Sequence, residues 1–420
     1  MLKSILTPML VSLAMGCGAS WAHQPVSSAP SSVAVEHASA PSKPMERKPR
    51  PQLGSGVAFA PDGALWLVGI NAEGQMFVQS APPPEGASAY QWSAPRVIDT
   101  GGDGFSADGE NRPQLAFGPN GWVVVSYAMP LAKRFTGLIR MVRSEDGGRT
   151  FSVPFTVHQD QQEIGHSFQV SAFDAKGVLH TVWLDRRDGE LAPKVGEKSR
   201  YTGSAVYRNE SLDGGRTFGS DRKLADHSCE CCRIATTQGS DGALRAMWRH
   251  VFDTNTRDHG FAALAGDDKV VVRATQDDWH VDACPHHGPG LAPAAANGFH
   301  AVWFGIRQQG QDKGPGVRYG RLNADGSPQP DTVRLLPDAR AEHADVLANG
   351  QRLAVVWRST DGMTSTAKAW LSTDGGKRFR MQVLGQVKGA NDYPRLVQHG
   401  ERMVVVWRNT TEVQVHDVTF

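Results

Sequence analysis

The chain carries five cysteines, and three of them fall within four residues, in "HSCECCR" (227–233). A fourth, Cys284, follows in "DACPHHGP", beside His286 and His287. Three chemistries suit this set. The first is disulfide bonding, for which four cysteines allow three pairings. Cys229 or Cys232 joined to Cys284 would close a loop of about fifty residues, worth roughly 4 kcal/mol at most by loop entropy. Two of the clustered thiols would then remain almost adjacent, where local bridges are strained and reducible. The second is metal binding. Thiolates with imidazoles are soft to borderline ligands that suit copper(I), and after it zinc. Cys229, Cys231, Cys232, Cys284, His286 and His287 are more than a three- or four-coordinate ion requires, and Glu230 can add a charge or a hydrogen bond. The third is a redox dithiol exchanging with partner thiols, although no C-x-x-C pair supports it.

What must position these residues is a repeat. Short runs of β-branched and aromatic residues, broken by a Gly turn, recur as "VAFAPDGALWLV" (57–68), "PQLAFGPNGWVVVSY" (113–127), "FQVSAFDAKGVLHTVW" (168–183) and "RIATTQGSDGALRAMW" (233–248). They continue as "GLAPAAANGFHAVW" (290–303), "ADVLANGQRLAVVW" (344–357) and "PRLVQHGERMVVVW" (394–407), seven copies 50 to 65 residues apart. This is strand–turn–strand patterning at a fixed period. One period has room for four strands, so the expected fold is an all-β propeller. Its blades are expected at 54–100, 111–160, 166–226, 232–283, 289–337, 343–389 and 393–420, with six blades as the alternative. The last unit lacks an obvious outer strand, which the N-terminal segment could supply.

A second motif keeps phase with the repeat: "SEDGGRTF" (144–151), "SLDGGRTF" (211–218) and "STDGGKRF" (372–379). Its Asp can accept backbone N–H bonds across a turn, and its glycines reach conformations closed to other residues. The motif resembles the Asp box (BNR repeat) of the sialidase-like β-propeller superfamily. The box residues are Ser144, Asp146 and Gly148, then Ser211, Asp213 and Gly215, then Ser372, Asp374 and Gly376. Arg378 stands where the motif has Thr. The resemblance covers about 54–420 and implies that the boxes are structural turns on the face away from the ligand site.

The same resemblance raises sialidase chemistry, which needs arginines for the sugar carboxylate, a Tyr–Glu nucleophile pair and an Asp acid/base. The early arginine motif is reduced here to Arg112 in "ENRPQLAF", and Tyr393 is the lone tyrosine preceding an inner strand. Arg187, Arg249, Arg307, Arg358 and Arg408 follow second strands and could form an anion-binding ring, or pair with acids of their own loops. Exo-sialidase activity is therefore disfavoured. His180 and His300 occupy a repeat slot and read as packed strand histidines. Trp183, Trp248, Trp303, Trp357 and Trp407 read as core between blades.

The phase of the repeat puts both cysteine segments in connections between consecutive blades, with "SADGENR" (106–112), "QEIGHS" (162–167), "ARAEHA" (339–344) and "KGANDY" (388–393). All should gather at one mouth of the central channel. Residues 1–22 read as an export signal ending at Ala22, and 23–53 as a Pro/Ser/Ala-rich leader. Cys17, in "LAMGC", offers a rival lipid anchor. The expected location is the periplasm, or the outer membrane if Cys17 is lipidated, where free thiols are unusual. The formal net charge of +1 gives no case for nucleic acid, and no later segment has the apolar length to span a bilayer. The leading expectation is a copper-binding site in metal handling or metal-centred redox chemistry. The alternative is a glycoside hydrolase or glycan-binding propeller with stapling disulfides, and the third is a protein-interaction scaffold.

Overall fold

A computed structural model of the chain describes residues 51–84, 89–196, 198–199, 201–266, 270–310 and 312–420. The chain divides into Met1–Pro49 and Arg50–Phe420. The export signal, Cys17 and nearly all of the leader lie outside the described residues. Among those described, no helix is long and apolar enough to cross a membrane.

Arg50–Phe420 is a seven-bladed propeller of antiparallel sheets. Six sheets have four strands in sequence order from the channel outward, as in Gly290–Pro293, Phe299–Arg307, Gly314–Leu322 and Pro328–Leu335. The seventh has three, Arg395–His399, Arg402–Arg408 and Val413–Asp417. No described segment completes it. The third blade carries an insertion between its second and third strands, a short helix Arg187–Leu191 and a small hairpin of Lys194–Val195 with Lys198–Ser199.

Strand alternation leaves each blade apolar on both faces, so adjacent blades seal against one another. Seven apolar clusters fill the seven interfaces between consecutive blades. In one of them Leu65, Leu67 and Phe77 of the first blade meet Val404 and Val406 of the last, so the ring closes through side chains rather than a shared sheet. Polar links cross the same seam: Ser55 N–H donates to Asp392 at 3.0 Å, and Arg408 Nη2 donates to the Ile70 carbonyl at 2.7 Å.

The tryptophans ending the second strands are buried. Each indole N–H reaches a polar partner: Asp185 of its own strand for Trp183, His250 Nδ1 for Trp248, Asp277 for Trp303, Asp338 for Trp357 and the Asp392 carbonyl for Trp407. This combination of apolar body and satisfied N–H ties core packing to the connections at the mouth. His180 sits between Asp174 and Glu210, and His300 bonds Tyr319 Oη at 2.8 Å, as strand histidines should.

The three S-x-D-x-G turns share one network. Ser144 Oγ bonds Asp146 and takes the Gly148 N–H, while Thr150 gives its N–H and hydroxyl to Asp146. Ser211, Asp213, Gly215 and Thr217 repeat it. In the third turn Arg378 Nε replaces the threonine hydroxyl, 2.8 Å from Asp374. The second glycine of each turn has φ of 83–85°, a region closed to side chains without strain. These turns join third to fourth strands, at the end opposite the connections between blades.

Candidate functional site

The cysteine turn hangs between two blades. The strand Arg222–Ser228 ends the third blade, and Ala235–Gln238 begins the fourth. Between them the Cys229 N–H donates to the Arg249 carbonyl at 2.9 Å, pinning the turn to the fourth blade. The three sulfurs form a near-equilateral triangle: Cys229–Cys231 3.6 Å, Cys231–Cys232 3.9 Å and Cys229–Cys232 3.9 Å. All three residues are buried, with Phe168 packed against them. Cys284 is exposed and stands outside the group of three sulfurs that lie within 4.8 Å of one another. Cys229, Cys231, Cys232 and Cys284 are free thiols, so the alternative of a disulfide staple between blades is not formed. Folding collects the thiols at van der Waals spacing and leaves them unbonded.

The cluster's electrostatics are collective. Hydrogen bonds from Cys231 and Cys232 pull the Cys229 thiol far below its ordinary range, and Arg249 adds to this. The hydrogen bond to Cys229 pushes Cys231 up, and burial pushes Cys232 up. One thiolate is thus favoured at the expense of the others. Arg249 itself is buried. Its terminal nitrogens donate to the carbonyls of Arg257, His287 and Phe304, its Nε is buried without a partner, and no carboxylate pairs with it among the described residues. His259 lies in the field of Cys229, fully buried, with Nε2 unpartnered. Nothing in its strand "DHGFAAL" marked it in the sequence.

Glu110 was likewise not singled out, and it organises the site. Its carboxylate accepts the Arg233 N–H (3.0 Å), the Arg233 guanidinium, the Gly288 N–H (2.8 Å) and His343 Nδ1 (2.9 Å). Arg233 directly follows Cys232, and Gly288 follows His287, so one buried carboxylate clamps both cysteine segments. Burial alone would raise its pKa, but Arg233 and His343 hold it far below the ordinary range. Burial lowers the pKa of His343, against the hydrogen bond to Glu110 that raises it. His343 also belongs to a stacked column. Tyr393 lies 3.5 Å from it at 5°, His287 4.3 Å on its other side, and Phe304 4.4 Å beyond His287. The column runs from the seventh-blade connection to the fifth blade, with Arg358 over the outer face of Tyr393.

The mouth opens as a groove of about 620 Å³. Cys231, Cys284, His286 and Glu230 form part of its wall, facing Ser106, Asn111, Phe135, His166 and Phe168. The connections between blades therefore meet at one mouth, as the repeat phase requires. The histidines part company there: His286 faces the groove, and His287 is held in the stacked column.

The arginines do not form a ring. Arg187 pairs with Asp185 and Asp221, Arg358 with Glu342, and Arg408 crosses the seam between the first and last blades. Arg307 lines a small cavity beside Asp277, and the Arg249 carbonyl accepts the Cys229 N–H. Arg112 is buried against Asp392 and the Gly109 and Ser55 carbonyls.

Fold and site together define a seven-bladed propeller with a thiol cluster at one mouth. No protein-family model matches the chain, and no curated protein matches it. Among solved structures its fold is similar to a polysaccharide lyase of the PL25 ulvan lyase family bound to -[GlcA(1-4)Rha3S]-, at 12% identity, TM-score 0.52, covering 87% of this chain and 93% of that one. A second structure of a PL25 ulvan lyase gives 12% identity, TM-score 0.51 and coverage of 88% and 95%. The leech intramolecular trans-sialidase with 2,7-anhydro-Neu5Ac stands at 9% identity, TM-score 0.48, with coverage of 84% and 81%. At 12% identity the two ulvan lyase structures show the fold.

Proposed function

We propose that the propeller mouth binds a soft d10 metal ion, copper(I) first and zinc second, on Cys229, Cys231, Cys232 and Cys284, with His286 at the edge of the site. The observation that carries this reading is the sulfur triangle. A tetrahedral ion with metal–sulfur bonds of about 2.3 Å has sulfur–sulfur edges of about 3.8 Å, and the three edges here measure 3.6, 3.9 and 3.9 Å. Arg249 supports it independently. A buried cation without an acid is costly, whereas an ion held by three or four thiolates carries net negative charge that a guanidinium offsets. The reading goes with export to the periplasm, where a bound ion would protect thiols from oxidation, and with a role in metal handling. It also makes the chain a non-sialidase member of the Asp-box superfamily.

The test is elemental analysis with a free-thiol count on exported protein, beside a Cys229/Cys231/Cys232→Ser variant. Stoichiometric copper or zinc, lost in the variant, is expected. No metal, and no copper(I) uptake after mild reduction, would end the reading.

The comparisons favour a second reading, an acidic-glycan ligand. Two propellers of similar fold are PL25 ulvan lyases, and the groove carries Arg186, Asn111 and Phe135 on its wall. This reading expects calorimetric binding of uronate- or sulfate-bearing oligosaccharides that survives Cys→Ser and is lost on Arg186→Ala. Equal indifference to sugars and metals would favour a scaffold.

A further inference from the structure

We propose that the thiol site, on the metal reading above, is an exchange site: the ion enters and leaves through the groove, over Cys231 and Cys284, by transfer to a carrier presenting thiolate sulfur. Three features distinguish it from a structural centre, which encloses its ion with all ligands fixed.

The four sulfurs are unequally placed. Cys284, exposed, and Cys231, buried but on the groove wall, stand there with His286, while Cys229 and Cys232 are buried and do not line the groove. An ion held by all four would have two ligands at its back and two facing about 620 Å³ of open space. The Cys284 segment is also fixed at its ends alone. The Val281 carbonyl accepts from Asn255 and Arg257, and the Gly288 N–H donates to Glu110. Among the described residues, no backbone hydrogen bond holds 282–286 between those anchors. The Cys229–Cys232 turn, by contrast, is pinned by the Cys229 N–H and by Glu110 through Arg233. Finally, Phe168 packs against the triad and lines the groove, so the approach to the metal is walled on one side and open along Cys231–Cys284.

The step balances without an oxidant. An incoming thiolate forms a bond to copper(I), the bond to Cys284 breaks, and the released Cys284 thiolate takes a proton from water. Copper remains d10 throughout. Cys231 follows in the same way on a second carrier thiolate; the bonds to Cys229 and Cys232 then break, their thiolates take protons from water, and two-coordinate copper(I) leaves on the carrier. A soft sulfur donor suits both the ion and the ligands it replaces.

The experiment loads the full chain with equimolar copper(I) under anaerobic conditions and follows its release to bathocuproine disulfonate at increasing glutathione. A thiolated dextran too large for the groove replaces glutathione in a parallel series. Equilibrium uptake tests the metal reading, and the release rate tests the exchange inference. Release should rise in proportion to glutathione, with the dextran thiol ineffective. Ser167→Trp on the groove wall should slow the glutathione-driven rate by about tenfold or more, an effect on dissociation rather than stoichiometry. Ser365→Trp, in the separate depression beside Arg358, should not. If Ser167→Trp fails to fold, the dextran comparison decides alone. Uptake followed by thiol-independent release, or release by the dextran thiol as fast as by glutathione, overturns the inference and leaves the metal reading standing. Absence of uptake overturns both.

Discussion

Glu110→Gln is the most informative single change. The ionised carboxylate serves four donors: the Arg233 N–H and guanidinium, the Gly288 N–H and His343 Nδ1. Glutamine offers one acceptor oxygen and turns an NH2 group towards donors. At least one buried N–H is orphaned, and Arg233 loses its buried counter-charge. Breaking one side of a buried pair costs about 3–5 kcal/mol. For a folded unit of roughly 370 residues, an unfolding entropy near 2.1 cal/mol/K per residue converts this to a Tm lower by about 4–6 °C. Both cysteine segments hang from this carboxylate, so copper(I) affinity should fall by about 10- to 100-fold, the usual effect of removing an outer partner of metal ligands. The pH dependence has a definite sign. Glu110 is lowered in the folded protein, so its contribution is full above the unfolded carboxyl value of about 4.3 and is lost as pH falls from there through the lowered folded value. Urea titrations of wild type and variant should therefore show a constant gap above about pH 6 that narrows below about pH 4. A penalty under about 1 kcal/mol, or a gap unchanged at pH 3, would refute the buried-pair argument. A full stability loss with unaltered copper affinity would break the link between clamp and site.

Arg249→Met should weaken copper(I) binding by about tenfold in competition assays, with Arg249→Lys retaining most of it, because the guanidinium offsets thiolate charge. Gly288→Ala should destabilise by about 1–3 kcal/mol in urea titration and also weaken copper binding. An added Cβ there would stand 2.3 Å from Arg233 Cγ and 2.7 Å from its carbonyl oxygen, pushing the Cys284 segment off the clamp. In the third S-x-D-x-G turn, Arg378→Thr should leave Tm unchanged in a thermal melt, since a threonine hydroxyl restores the bond that Arg378 Nε makes. Asp374→Ala should lower Tm, because it removes the acceptor of the Lys377 and Arg378 N–H groups.

Much of this protein is local chemistry repeated. The strand–Gly–strand units, their closing tryptophans and the S-x-D-x-G turns depend on residues within a few positions of each other, so the sequence alone determined the propeller, its seven units and the gathering of the cysteine segments at one mouth. The phase of a repeat carries that information, because each connection between blades returns to the same end of the ring. Contacts between units, however, leave no trace in the period. Nothing around Glu110 shows that its carboxylate spans to Arg233, Gly288 and His343, more than a hundred residues away. His286 and His287 are neighbours in sequence and part in space, because stacking against His343 and Phe304 takes one of them into the column. The arginines at equivalent repeat positions found a different partner in each blade, since a slot fixes where a side chain starts and not which acid lies within its reach. The last blade ends at three described strands, and the ring closes through Leu65, Leu67, Phe77, Val404 and Val406. Which thiols lie behind the groove wall and which form it was likewise decided by the tertiary structure, because burial depends on what the other blades place over a turn.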